Sequence, residues 1–301
     1  MGIIMKLEVK NMNVSMNAYY KCDKSYKPYE ALKEAGFQYL SAAWREEETP
    51  LLLGDDWMDH IKRVKELYDT FGFTCVQTHL PCYEILLDCG IEVPESFEEI
   101  KRGLVYENIM DAKWGALHLR TATNHGCDVK IAYQHNKELI LRLLDTAHKY
   151  NVGLAIENMP YFRGADFTLF ATNYRDLIEL CDEINDPLLG ICYDFGHGLL
   201  CGDDIPNAIR EIGDRLKIVH IHNNANNNYD AHDAPAFGKI QWASIAKALA
   251  DIHYDGSLSG ETGYPEEEMF AATFFKHVRE SLEIIQKLVE GYKKEIHNTR
   301  A

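Results

Sequence analysis

Short apolar runs alternate with helix-period segments from one end of the chain to the other, and this rhythm constrains the fold more than any other feature. Strand-like runs are read at Lys6–Val9, Phe37–Ala43, Phe73–His79, Ala116–Arg120, Val152–Asn158, Leu188–Asp194, Lys217–Asn223 and Ser257–Glu261. Helical segments follow each in turn, at Pro28–Ala35, Asp55–Phe71, Ser96–Lys113, Lys137–Lys149, Tyr174–Glu183, Ile205–Arg215, Ser244–His253 and Glu267–Val289. Ile61, Val64, Tyr68 and Phe71 share one face of the second helix; Leu139, Ile140, Leu143, Leu144 and Ala147 stripe the fourth. Ser96 and Glu99 have the spacing of a capping box. Parallel strands need a crossover, usually a helix, so strict alternation predicts a parallel sheet. Eight units in 301 residues suit closure into a (β/α)8 barrel, which usually takes ~250 residues. No linker, charge block or low-complexity stretch divides the chain, so residues 1–301 read as one barrel domain ending in a long C-terminal helix.

Composition narrows the class. Hydrophobic residues make up 46% and aromatics 11%, enough for a large buried core. No run approaches the ~18 consecutive apolar residues of a membrane span. The opening MGIIMKLEVK lacks the apolar stretch and cleavage site of a signal peptide. The eight cysteines are scattered with no C-x-x-C pair, which reads as reduced thiols in a cytoplasmic protein. A formal charge of −16 repels phosphate backbones and counts against a nucleic-acid partner.

Along a barrel strand, alternate residues face the helices and the lumen. Leu117 and Leu119, Leu154 and Ile156, Ile191 and Tyr193, Val219 and Ile221, Leu258 and Gly260 form the outward set. The opposite parity carries Gln77 and His79, His118 and Arg120, Glu157, Asp194, His220 and His222, and Glu261. These lie at C-terminal strand ends, where barrel enzymes do their chemistry. Each has a plain structural reading. Glu157 could pair with an arginine, Asp194 and His197 could cap the next helix, and His220 could be a satisfied core histidine. Gathered in one dry lumen, such groups carry a large desolvation and repulsion cost unless a cation offsets it. Oxygen and imidazole donors suit Mn²⁺, Co²⁺, Mg²⁺ or Zn²⁺. Cys192 lies one layer deeper, which argues against a cysteine-rich structural zinc site.

The segments A-I-E-N-M-P (155–160), Y-D-F-G-H (193–197), V-H-I-H-N-N (219–224) and G-E-T-G (260–263) resemble those of the xylose isomerase-like TIM barrel superfamily. Ketose 3-epimerases, sugar isomerases, inosose dehydratase and the endonuclease IV group of abasic-site nucleases belong to it. The resemblance implies that Glu157, Asp194, His220 and Glu261 bind one divalent metal, with His197 near the substrate. His222 shares a strand face with His220, and either could be the ligand. Y-D-A-H-D-A-P-A-F-G-K-I-Q-W (229–242) resembles a family loop whose D-x-H is here Asp230 and His232. Gln241 stands where many members have Asp, which weakens the cap of the following helix.

For a sugar or sugar-phosphate isomerase or epimerase, the resemblance implies a metal-stabilised enediolate formed by proton transfer. Glu157 and Glu261 would be the acid/base pair and His197 the donor to the developing oxyanion, with His222, Arg120 and Lys239 as substrate contacts. In the endonuclease branch, residues resembling His79, His118, His197, Asp230 and His232 bring the total to three zinc ions, for cleavage at abasic DNA. All five are present. Against that branch stand the acidic charge, the Ile-His-Asn that follows His220, and the lack of basic, aromatic-interleaved loops. A sugar-binding barrel without turnover is a third reading, disfavoured because no ligand is missing. Relatives are often dimers or tetramers, so the analogy extends to a homo-oligomer.

Overall fold

Eight parallel strands close into a barrel in the computed structural model, which describes residues 12–20, 27–44, 46–81, 86–87, 94–123, 126–225, 229–265 and 267–300. The strands are β1 (Val14–Tyr20), β2 (Tyr39–Trp44), β3 (Thr74–His79), β4 (Trp114–His118), β5 (Gly153–Glu157), β6 (Leu189–Asp194), β7 (Leu216–Ile221) and β8 (Leu258–Gly260). Each pairs with its sequence neighbours, and β8 returns to β1. The helices are α1 (Lys27–Glu34), α2 (Trp57–Phe71), α3 (Pro94–Ile109), α4 (Val129–Tyr150), α5 (Tyr174–Ile184), α6 (Phe195–Cys201), α7 (Ile205–Ile212), α8 (Trp242–Asp251) and α9 (Ala271–Arg300). Among the described residues, no helix is long and apolar enough to cross a membrane.

Several expected bounds shift at the edges, α4 starting at Val129 rather than Lys137 and α9 running from Ala271 on to Arg300. The run Lys6–Val9 lies outside the described residues, and the first barrel strand is Val14–Tyr20. The helix expected from Ser96 already includes Pro94, so Ser96 sits inside its first turn and is no cap. Ser96 is buried and accepts a hydrogen bond from Arg120 instead. Elsewhere the local rules hold: Asp128, Asn173, Asp194 and Asp204 cap the starts of α4, α5, α6 and α7 through their side chains. Gln241 precedes α8 without a side-chain cap, as its amide in place of a carboxylate led us to expect.

Parity sorts the strand residues as read. Leu117, Leu154, Ile156, Ile191, Tyr193, Val219 and Ile221 all lie fully buried between sheet and helices in the main core. Inside the barrel, Ala116, Ala155, Cys192 and Ile218 form a small separate cluster with Trp114 packed against it. That cluster floors the lumen one layer below His118, Glu157, Asp194 and His220. α9 closes the β8–β1 seam: a Cβ at Gly260 would lie 3.2 Å from Leu282, Met16 and Val278 alike. Truncating a core residue such as Ile156 to Ala removes contacts worth about 2–5 kcal/mol.

A buried carboxyl lies apart from the lumen. Glu107, on α3, is fully buried, and among the described residues only the Gly153 backbone and the more distant Lys113 offset that burial. It lies against β3 and β4, where a Cβ at Gly115 would come within 2.6 Å of Glu107 Oε2 and 2.8 Å of Thr78 Oγ1. Burial pushes the carboxyl well above the ordinary carboxylate range. Unfolding restores a pKa of ~4.3, so above that pH the unfolded chain sheds a proton that the folded chain retains. The stability supplied by neutral Glu107 is therefore complete at low pH and is lost as pH rises towards the folded value. Glu107→Gln, which cannot ionise, should melt on the order of 2–4 °C higher at pH 8, the shift about 1 kcal/mol produces in a chain of this size. The gain should vanish near pH 4; thermal melts that coincide with wild type at every pH would show a Glu107 that is charged and paired when folded.

Candidate active site

The C-terminal ends of β3 to β8 bring together nearly all the ionisable residues of luminal parity. The His118–Glu157 and Asp194–His220 register pairs set them side by side on neighbouring strands. His220 Nδ1 lies 3.0 Å from Glu157 Oε1, 2.6 Å from Glu261 Oε2 and 4.0 Å from Asp194 Oδ2. One ligand atom from each of Glu157, Asp194, His220 and Glu261 falls within 4.8 Å of all the others, and all four residues are buried.

Two further donor sets flank this one. His118 Nε2 and His79 Nε2 lie 3.3 and 3.7 Å from Glu157 Oε2. On the other flank, Asp230 Oδ2 accepts from His197 Nε2 and His232 Nε2, each at 3.0 Å. His222 completes that second set, its ring stacked on His232 at 4.0 Å and its Nε2 2.9 Å from Asp194 Oδ1. His220 therefore belongs to the lower carboxylate set and His222 to the upper imidazole set, which separates the two histidines that the sequence left interchangeable.

The charges are mutually dependent. Burial would raise Glu157, but His220 and His118 outweigh it and hold the carboxyl well below its usual range. Burial would likewise lower His197, yet Asp194 and Asp230 lift it to about 9. His232 rises to about 10 because the Asp230 bond outweighs its burial. His79 moves down, from burial first and then the neighbouring His118. Among the described residues the buried Asp194 Oδ2 lacks a hydrogen-bond partner, and Glu157 Oε2 meets only the His118 and His79 imidazoles. Carboxylate oxygens left over in a buried cluster of oxygen and imidazole donors fit a divalent cation.

Asparagines position the site, and sequence reading passed over them. Asn158 clasps the end of β6, accepting from Asp194 N at 2.7 Å and donating to Asp194 O at 3.0 Å; its own carbonyl accepts from His197 Nδ1 at 2.8 Å. Asn223 Oδ1 accepts from the backbone of Asn224, Lys239 and Ile240, which folds the loop carrying Asp230 and His232 back over the lumen. Asn224 braces Asp230 directly. The signal was present in the motifs, since E-N and H-N-N place an amide next to a ligand. Gly196 is required by proximity: a Cβ there would sit 1.9 Å from the His222 ring.

Arg120 and Lys239 do not join the cluster. Arg120 lies two residues beyond the end of β4, where strand parity lapses, and its buried guanidinium donates to Ser96 on α3. Lys239 is exposed on the loop before α8.

The profile of the Xylose isomerase-like TIM barrel family matches residues 29–288. The chain is similar to the uncharacterized protein MJ1311 of Methanocaldococcus jannaschii, 27% identical over an alignment of 246 residues that covers 76% of this chain and 77% of that protein. It is 30% identical over 115 residues to the D-psicose 3-epimerase of Enterocloster bolteae, a stretch covering 38% of this chain and 35% of the epimerase. The crystal structure of a D-tagatose 3-epimerase-like protein superposes with a TM-score of 0.69 at 20% identity, covering 93% of this chain and 99% of that one.

A cation in the carboxylate set should stabilise the fold by mass action. Chelator-treated protein should therefore melt at a higher temperature once Mn²⁺ or Zn²⁺ is added, by about 2.7 kcal/mol at a hundredfold excess over Kd. Asp194→Asn should retain only a small part of that gain. Melting indifferent to every divalent ion tried would remove the metal centre from the description.

Proposed function

The chain belongs to the xylose isomerase-like TIM barrel family, and from that membership we propose that it is a divalent-metal-dependent isomerase or epimerase of sugars. The observation that carries this reading is the meeting of two carboxylates, Glu157 and Glu261, at His220, with Asp194 alongside in a buried lumen. A bound divalent cation would polarise the sugar carbonyl and acidify the adjoining C–H. Glu157 and Glu261 come from non-adjacent strands, β5 and the end of β8, and can address a substrate carbon from different sides. One carboxylate would take the proton from that carbon and the other return it, on the opposite face for an epimerase. His197 is held at Nδ1 by the Asn158 carbonyl and at Nε2 by Asp230, and it would donate to a developing oxyanion by exchanging the Asp230 bond for one to the substrate. The depth of the site keeps bulk water from competing for the proton.

A second reading rests on the three adjoining donor sets. With His79, His118, Asp230 and His232 as further ligands, the same lumen would hold up to three zinc ions for phosphodiester cleavage at abasic DNA. Metal content separates the two. About one cation per chain supports the sugar enzyme, whereas three zinc ions together with nicking of abasic duplex support the nuclease.

The decisive test is turnover in deuterated water. Metal-loaded protein given a panel of ketoses and aldoses should interconvert one pair and carry solvent deuterium into the reacting carbon. Glu157→Gln should slow this by ~10²–10⁴-fold without loss of the folded state. A metal-loaded protein that converts no member of the panel would overturn the proposal.

A further inference from the structure

The lumen wall facing the carboxylates is lined by neutral polar side chains that the metal centre does not use. Met16 packs outward beneath α9, which turns Asn17 inward; Leu40 and Ala42 lie in the outer core, which turns Ser41 inward. Thr78 faces α3, which turns Gln77 inward, one luminal step below His79. The three stand in one row on adjacent strands, since Asn17 pairs with Ser41 and Ser41 with Gln77. Met16 pairs with Gly260, so Asn17 and Glu261 are the next residues along neighbouring strands. The row therefore adjoins the catalytic cluster at both ends, through Glu261 and His79.

Asn17 and Ser41 are 0% exposed and Gln77 3%. Even so, among the described residues Asn17 Nδ2 and Oδ1, Ser41 Oγ and Gln77 Nε2 have no hydrogen-bond partner, nor does the adjacent Ser259 Oγ. Buried polar atoms are almost always satisfied, so a run of orphans on one wall calls for a guest. The set offers donors and acceptors together and no formal charge, which suits hydroxyl groups. It suits a phosphate poorly, because a buried dianion needs a cation. Arg120 is the only buried arginine or lysine among the described residues, and its guanidinium is turned to Ser96.

We infer that Asn17, Ser41 and Gln77 form the subsite for the uncharged hydroxylated end of the substrate, so that the sugar acted on is free rather than phosphorylated. The inference rests on the sugar isomerase or epimerase reading and specifies its substrate class.

Metal-loaded protein should be assayed with D-fructose, D-tagatose and D-fructose 6-phosphate, alongside Asn17→Leu and Gln77→Leu. A free ketose should be preferred by tenfold or more in kcat/KM. Each variant should raise KM for the free sugar by about tenfold, the effect of a lost hydrogen bond, with kcat changed only slightly. Without sugar the variants should melt no lower than wild type, because an apolar isostere relieves an unpaired buried amide. Preference for the phosphate ester, or an unchanged KM in a folded variant, overturns the inference. So does a lower melting temperature, which would mean that structural water or protein groups satisfy the row. Should the leucine variants fail to fold, Ser41→Ala decides the matter by the same KM criterion. If wild type neither converts nor is stabilised by any of these sugars, the sugar reading itself falls and takes this inference with it, an outcome visible before any variant is made.

Discussion

Three carboxylates and a histidine buried within 4.8 Å of one another set the terms for everything around them. Glu157 and Asp194 are 0% exposed and Glu261 7%, so water cannot spread their charge. Such a cluster would expand or protonate in a soft scaffold. Here each member issues from a different strand of a closed barrel, anchored by an outward neighbour locked in the core: Ile156 beside Glu157, Tyr193 beside Asp194, Val219 and Ile221 around His220. Packing outside the barrel therefore does electrostatic work inside it, because the apolar residues hold the like charges at ligand spacing until a cation or protons compensate them.

The upper half of the site is built differently. Asp230 and His232 come from a loop and depend on local ties. His232 adopts a left-handed backbone at φ 47°, a conformation uncommon outside glycine and asparagine. It is held there from two sides, its Nδ1 donating to Glu261 O and its own carbonyl accepting from Gly263 N. The loop of Asp230 and His232 is thus pinned to the end of β8, so Glu261 and His232 cannot move independently. Strain of this kind costs on the order of 1–3 kcal/mol and persists where surrounding bonds over-determine it.

Period-2 parity is legible because β-strands impose it whatever their sequence context, and it puts His79, His118, Glu157, Asp194, His220, His222 and Glu261 on the side where the structure brings them together. It lapses where the strand ends. Arg120 was assigned to the lumen by extending β4 two residues too far, and the chain beyond His118 turns the side chain to α3. Ser96 shows a competition of the same order: a serine near a helix start can cap or can accept from a buried guanidinium, and only the three-dimensional neighbourhood decides. Asn17 escaped notice because the first strand was sought at Lys6–Val9 and lies at Val14–Tyr20. Ser41 escaped because a neutral polar residue in an apolar strand looks like a tolerated substitution until closure of the barrel places it opposite a charge cluster.

Asp194 shows why the structural and chemical readings of a site residue need not compete. Its Oδ1 accepts from His197 N at 2.7 Å, which caps α6. That bond also places His197 over the lumen, since the capped residue and the imidazole are one and the same. Its Oδ2 is left buried without a hydrogen-bond partner and faces His220. With Oδ1 occupied by the helix start and by His222 Nε2 at 2.9 Å, Oδ2 is the Asp194 oxygen left to face the carboxylate set. The cap then fixes the direction from which that oxygen approaches. Removing the carboxylate would release the His197 backbone and take an oxygen donor out of the lumen together, a coupling that follows from three-residue spacing along a single turn of helix.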